Sequence, residues 1–189
     1  MNRDDLINAI RTRMPEKRIV HTLGVMDTAI RLANVYGVSE KDAELAAILH
    51  DVVKFADREW MKQIIIDQQM DPTLLNFHHE LWHAPVGAFV AQQEFGVSNQ
   101  DVLNAICYHT TGRANMTDLE KIIYCADMIE PNRQFPGVDD LRQQDELGLN
   151  ALMKACVQRS IQFLLQKNQP VYPDSIHCYN DLVTRKEND

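Results

Sequence analysis

Between residues 16 and 36, apolar side chains recur at helical spacing: Ile19, Val20, Leu23, Met26, Ile30 and Ala33 fall on one side. This period runs through nearly the whole chain and restricts it to helix packed on helix. Leu6, Ile7 and Ile10 mark a short first helix, which Pro15 ends or separates from the next. Tyr36-Gly37 stops the long helix, and Ser39 is an N-cap for one running to about His50. Residues 58 to 69 read as helix, although Ile64-Ile65-Ile66 also fits a strand. Asp71-Pro72 has N-cap then N1 chemistry. Pro85 belongs in the first turn of a helix reaching Phe95, with His83 at its mouth and Gly96 closing it. Ser98 can cap a helix to about His109, and Thr117-Asp118-Leu119-Glu120 has the form of a capping box opening a helix that ends before Pro131. A last long helix covers roughly 144 to 167, followed by a stiff turn and a terminal helix from about Asp174. No repeat, low-complexity tract or linker interrupts the pattern. The expectation is all-α: a single helical bundle over residues 1–189.

The chain is acidic, with a formal net charge of −8 and a pI near 5.3. A general nucleic-acid binder presents a basic face, so nucleic acid is not expected as a partner. A small anionic substrate then needs positive charge gathered locally. Cys107, Cys125, Cys156 and Cys178 form no C-x-x-C pair and read as free thiols of a reducing compartment. The opening MNRDDLINAIRTRM has no apolar core of a secretory signal. No apolar run approaches the ~18 residues of a membrane span. A cytoplasmic location without membrane attachment is the expectation.

Against this apolar background some polar residues stand out. AAILHDVVKFA, residues 46 to 56, carries His50 and Asp51 side by side with Lys54 one turn on. Burying an imidazole, a carboxylate and an ammonium together is costly unless they are paired or bound to something. His21, His83, His109 and Asp127 are similar: each lies within or at the end of a helix that otherwise reads as buried. Helices projecting His and carboxylate inward are a known way to build a metal site. The donor set suits iron, manganese or zinc, and the absence of Cys argues against structural zinc.

The order His, His-Asp, His, His, Asp resembles the HD-domain metal-dependent phosphohydrolases. RIVHTLGV (18 to 25), LHDVVK (49 to 54), HAPVGA (83 to 88), YHTTGR (108 to 113) and CADMIEPNR (125 to 133) look like the motifs of the YqeK family within that group. The likeness spans about residues 16 to 175, and segment 57 to 82 carries no motif. It implies a single HD-type domain with a metal site in its core and symmetrical hydrolysis of diadenosine tetraphosphate to two ADP. It further implies that His21, His50, Asp51 and Asp127 form the primary metal site. The chemistry agrees, since two neutral imidazoles and two carboxylates nearly cancel a divalent charge. Asp51 could bridge to a second ion completed by His83 and His109; with one ion, those two would face the phosphates instead. Iron is the first choice for the metal, one or two ions per chain, with manganese or zinc as alternatives.

Arg18, three residues before His21, Lys54, and Arg133, a short turn after Asp127, are positioned to contact polyphosphate. Arg58 has weaker support. Asp51 and Lys54 are the candidate catalytic residues. Asp51, His83 and His109 are also candidate substrate contacts, with Thr110 and its neighbours Thr111 and Gly112. Pro170, Val171, Tyr172, Pro173 and Asp174 could hold a nucleobase or simply connect two helices. His78, His79 and His177 read as surface residues, Trp60 and Trp82 as packing. Alternatives are an HD phosphohydrolase for another nucleotide (a nucleoside monophosphate, a dNTP or a signalling nucleotide), a nucleotide-binding regulator and a structural metalloprotein. A homodimer is compatible with the sequence, but no coiled-coil seam marks an interface.

Overall fold

The computed structural model describes residues 2–184, and all regular structure among them is helical. The helices are α1 (Arg3–Arg11), α2 (Glu16–Tyr36), α3 (Glu40–Leu49), α4 (Arg58–Asp67), α5 (His83–Phe95), α6 (Gln100–Cys107), α7 (Asp118–Ile129), α8 (Val138–Gln143), α9 (Leu149–Gln166) and α10 (Pro173–Thr184). Short 3-10 turns occupy Pro72–Asn76, His79–Leu81 and Gln144–Leu147. None of the described helices is long and apolar enough to cross a membrane.

Helix α7 organises the bundle, packing against α2, α3, α6, α8 and α9. A helix with neighbours on most sides must be apolar nearly all round. Leu119, Ile122, Ile123, Tyr124, Cys125, Ala126 and Ile129 are accordingly buried. Its start is the capping box expected from sequence: Thr117 Oγ1 accepts from Glu120 N, and Glu120 Oε2 accepts from Thr117 N at 2.6 Å. Helices α2 and α3 pack side by side through small residues, with Ala29, Ala33, Ala43, Ala46 and Ala47 fully buried. At the end of α2, Gly37 takes a φ of 69°, and the N–H groups of Gly37 and Val38 turn back onto Ala33 O. The apolar core runs continuously from Leu6 and Ile10 of α1 to Cys178 of α10.

Several boundaries differ from the sequence reading. Asn99 caps α6 in place of Ser98, its Oδ1 accepting from Asp101 N at 3.0 Å. That helix stops at Cys107, so His109 lies beyond it. The helix expected from 144 begins only at Leu149, because Gly148 adopts φ 98° and ψ 162° and breaks the run. Helix α8 was not foreseen; it buries only Val138 and Leu141, too little to show a period. The isoleucine triplet is helical rather than extended: Ile65 packs inward with Met61, while Ile66 is half exposed.

Candidate metal centre

Helix α3 ends one residue before the His50-Asp51 doublet. The chain then tightens into successive turns, with Val52 N bonded to Leu49 O, Lys54 N to Asp51 O and Ala56 N to Val53 O. On a continuing helix, adjacent side chains would diverge by about 100°. Because α2, α6 and α7 all pack against α3, both are buried all the same, His50 and Asp51 each 0% exposed. The helix ends about where the sequence placed its end, and Lys54 lies beyond it in these turns.

The carboxylate of Asp51 sits at the middle of the cluster. On its Oδ2 side lie His50 Nε2 at 3.0 Å and His21 Nε2 at 3.9 Å, with the Arg18 guanidinium in contact. On its Oδ1 side lie His83 Nε2 at 3.0 Å and His109 Nε2 at 3.7 Å. Asp127, reaching in from α7, places Oδ1 2.9 Å from His21 Nε2 and 3.9 Å from His50 Nε2. The ligand atoms of His21, His50 and Asp51 all lie within 4.8 Å of one another, as do those of Asp51, His83 and His109. All six residues of the sequence pattern therefore meet at one place.

Hydrogen bonds fix which imidazole nitrogens carry protons. His50 Nδ1 is 2.6 Å from Ala47 O, and His109 Nδ1 is 2.7 Å from Ile106 O. A carbonyl only accepts, so both Nδ1 atoms donate and both Nε2 lone pairs face the cluster. Each ring folds back onto a carbonyl near the end of its preceding helix, a group left without a helical partner. His21 Nδ1 likewise donates to Glu130 Oε1 at 3.0 Å. His83 differs. Its Nδ1 faces Lys54 Nζ at 3.4 Å, and an ammonium only donates, so the proton of His83 sits on Nε2. That N–H points at Asp51 Oδ1 and at His109 Nε2, 3.1 Å away.

His21 Nε2 and His50 Nε2 are buried without a hydrogen-bond partner, and both face the buried Asp51 carboxylate. Orphaned buried polar atoms cost about 1–3 kcal/mol each, and these converge on one region. Two neutral imidazoles and two carboxylates there fit a divalent cation. His83 and His109 are not orphaned in this way. Burial holds the His109 imidazole down at about 4, so it is neutral near physiological pH. Burial alone would push the Asp51 and Asp127 carboxyls up. The charge that His50 carries when protonated, beside Asp51, and at Asp127 the adjacent His21 ring together with the charge of Arg133, hold both well below the usual range in the metal-free site.

The basic residues ring this cluster. Arg18 keeps a buried Nε without a partner. Arg133 donates from Nη2 to Asp127 Oδ1 at 2.5 Å and from Nε to Asp127 O at 2.6 Å. Lys54 is paired with Glu80 of the second 3-10 turn. Arg58 is exposed and shares a small cavity with Lys54 and His83. Next to His109, a cavity of about 360 Å³ is walled by Pro85, Tyr108, Thr110, Tyr172 and Asp174, among others. The Thr110 hydroxyl is buried and unpartnered, whereas Thr111 Oγ1 is bonded to Gly112 O at 2.9 Å. Tyr172 is buried, its hydroxyl donating to Asp71 Oδ2 at 2.5 Å and its ring edge-on to Phe77 at 5.0 Å. Of the 170–174 turn, Tyr172 and Asp174 line this cavity, and Pro170, Val171 and Pro173 do not.

Sequence reasoning missed Glu130, which fixes the His21 ring and also accepts from Asn132 N at 2.7 Å. A signal was present: a β-carbon at Gly24, one turn after His21, would overlap Glu130 Oε2. It also missed that the motif-free segment supplies Met70, Asp71, Leu74 and Leu81 to the cavity wall. Trp82 packs and donates to Leu74 O at 2.9 Å, whereas Trp60 is 39% exposed. His78 and His177 are exposed, as read; His79 is intermediate and lies beside Glu80.

The HD domain family matches residues 18–132. The chain is 50% identical over 184 residues to a Bacillus subtilis (strain 168) protein named "Bis(5'-nucleosyl)-tetraphosphatase, symmetrical", covering 97% of this chain and 99% of that one. A Staphylococcus aureus (strain NCTC 8325 / PS 47) protein of the same name is 40% identical, covering 95% and 94%. The fold is similar to a crystal structure from Clostridium acetobutylicum described as a predicted HD superfamily hydrolase involved in NAD metabolism. That match has a TM-score of 0.93 and 37% identity over 98% of this chain and 99% of the other.

Proposed function

Because the chain belongs to the HD-domain family, we propose that it is a metal-dependent hydrolase that splits dinucleoside tetraphosphates symmetrically, diadenosine tetraphosphate to two ADP. The observation that carries this is the convergence of the buried, unpartnered Nε2 atoms of His21 and His50 on the buried Asp51 carboxylate, beside the Arg18 guanidinium. The symmetrical regiochemistry rests on the names of the relatives that are similar over nearly the full length.

His21, His50, Asp51 and Asp127 would hold the ion. When bound, a divalent ion supplies positive charge and makes water a stronger acid near neutral pH. One ion or two fit the donors, since the ligand atoms of Asp51, His83 and His109 also lie within 4.8 Å of one another. Iron is the first choice; manganese and zinc suit the same donors.

The protein's own groups then divide the work. The unpartnered Arg18 Nε and Thr110 Oγ1 are free to donate to phosphate oxygens. Arg133 stands at the Asp127 end and adds charge against the developing anion. With one ion bound, His83 Nε2–H would donate a proton or hydrogen bond to the departing phosphate. Lys54 reaches phosphate by exchanging Glu80 for it, an exchange of like-charged partners. Water adds to an inner phosphorus, the bond from that phosphorus to the bridging oxygen breaks, and two nucleoside diphosphates leave. The cavity walled by Tyr172 and Asp174 takes one nucleobase. A homodimer is compatible with this arrangement. Free thiols at all four cysteines are consistent with a reducing cytoplasm.

The test is product chromatography after incubating the metal-loaded protein with diadenosine tetraphosphate. ADP as the sole nucleotide product is expected, and Asp51→Asn should lose both metal and turnover. ATP plus AMP would refute the regiochemistry. No turnover in protein shown to hold metal would refute the substrate.

A further inference from the structure

Building on that reading, we propose that the groove between Pro131 and Arg142 is the subsite for the second nucleoside of the substrate. A dinucleoside tetraphosphate cleaved at its middle carries a nucleoside on each side of the reacting phosphorus. The cavity at Tyr172 accounts for one. It meets the cluster through Thr110, the neighbour of His109, on the Oδ1 side of Asp51. The other groove, about 470 Å³, is lined by Pro131, Arg133, Gln134, Phe135, Val138 and Arg142 among others. It meets the cluster through Arg133, whose Nη2 lies on Asp127 Oδ1. That oxygen faces His21 Nε2, on the Oδ2 side of Asp51. The two spaces are therefore joined to the cluster through different members of it, one next to His109 and the other through Arg133 at Asp127, as a chain of phosphates crossing the centre requires. Both have the size of small-molecule sites, which run from about 300 to 1,000 Å³.

The groove is held ready. Arg142 spends its guanidinium on the carbonyls of Ile129, Glu130 and Arg133, fixing the turn that carries Arg133. Arg159 stands 5.8 Å from the Phe135 ring centroid and bonds Pro136 O at 2.6 Å. Phe135 thus offers an aromatic surface backed by a cation, which suits any nucleobase. Exposed Gln134 adds a donor and an acceptor at the rim. A third space, at Lys54, Phe55 and Arg58, includes His83 and so lies on the same side of Asp51 as the first.

The experiment compares kcat/KM for diadenosine tetraphosphate with that for adenosine tetraphosphate, which has one nucleoside and would give ADP and pyrophosphate. Wild type should favour the dinucleotide. Phe135→Ala should reduce that preference about tenfold, the scale of one stacked base, and Phe135→Tyr should retain it. Because Phe135 packs partly against the core, Gln134→Ala provides an exposed second variant, expected to reduce the preference about threefold. Calorimetry with ADP gives an independent reading: two ADP per metal-loaded wild-type chain and one in Phe135→Ala. An unchanged preference in folded Phe135→Ala and Gln134→Ala overturns the assignment. A loss in Phe55→Ala instead also overturns it and moves the second nucleoside to the Lys54 side. Absence of any dinucleotide cleavage by metal-loaded wild type would sink the substrate reading itself, and the groove with it.

Discussion

Glu130 accepts a hydrogen bond from His21 Nδ1 at 3.0 Å, and in doing so turns the opposite nitrogen of that ring toward Asp51 and Asp127. Glu130 is itself buried, at 1% exposed. A carboxylate behind a ligand imidazole fixes its tautomer and raises its basicity. Glu130→Ala should therefore lower metal affinity by about 10–100-fold while circular dichroism remains helical. Metal content after dialysis and activity against added metal are the measurements. Glu130→Gln should fall between, since its carbonyl can still accept. Unchanged metal retention in the alanine variant would remove Glu130 from this role.

Gly24 leaves the room that Glu130 occupies. A β-carbon there would overlap Glu130 Oε2 and lie 3.1 Å from Asn132 Nδ2. Gly24→Ala should destabilise the protein by about 1–3 kcal/mol through overpacking, offset in part by alanine's better helix propensity. It should also weaken metal binding. Combined with Glu130→Ala, the two costs should be well short of additive, because the second change removes the overlapping group. Thermal melts of the four proteins test this; strict additivity would refute it.

Metal uptake should release protons. Burial tends to lower the His50 pKa, but the carboxylates of Asp51 and Asp127 outweigh it and raise the apo value above the ordinary one. An ion must displace that proton, so affinity should rise with pH above His50's ordinary value of about 6.5. In the apo protein the same shift is stabilising below the unfolded value and is lost as pH rises through the folded one. The depressed Asp51 and Asp127 act in the opposite sense: their contribution is present above about 3.9 and is lost as pH falls. Calorimetry of metal binding in buffers of different ionisation enthalpy measures the released proton. A heat independent of buffer near pH 6.5 would count against this account.

Tyr172 ties the 170–174 turn to Asp71 across the cavity mouth. Tyr172→Phe removes that bond and should lower stability by about 1 kcal/mol, a Tm shift of roughly 2–4 °C. The Tyr172 hydroxyl is also the main reason the Asp71 pKa is lowered. The difference between the two proteins should therefore be full above the unfolded carboxylate value of about 3.9 and shrink as pH falls below it. KM for the dinucleotide should rise a few-fold with metal content unchanged. A coupled loss of metal would mean that the turn supports the centre and not the cavity alone.

Helical periodicity was readable because it is local: i to i+4 spacing, caps such as Thr117, and stops such as Gly37 are written within a few residues. His21, His50, Asp51, His83, His109 and Asp127 stood out for a similar reason, being polar where the pattern demands apolar. Sequence thus determined the all-α class, most helix positions and the set of polar residues that meet in the core. Tertiary structure decided what those residues face. Helices α2, α6 and α7 packed on α3 bury the adjacent His50 and Asp51 together. Lys54 is held by Glu80, 26 positions away by number. Glu130 lies 109 residues from the His21 it orients. The cavity wall at Met70, Asp71 and Leu74 comes from a segment with no motif. Such relationships depend on long-range packing and on which nitrogen a distant acceptor claims, and neither has a period that one chain can display.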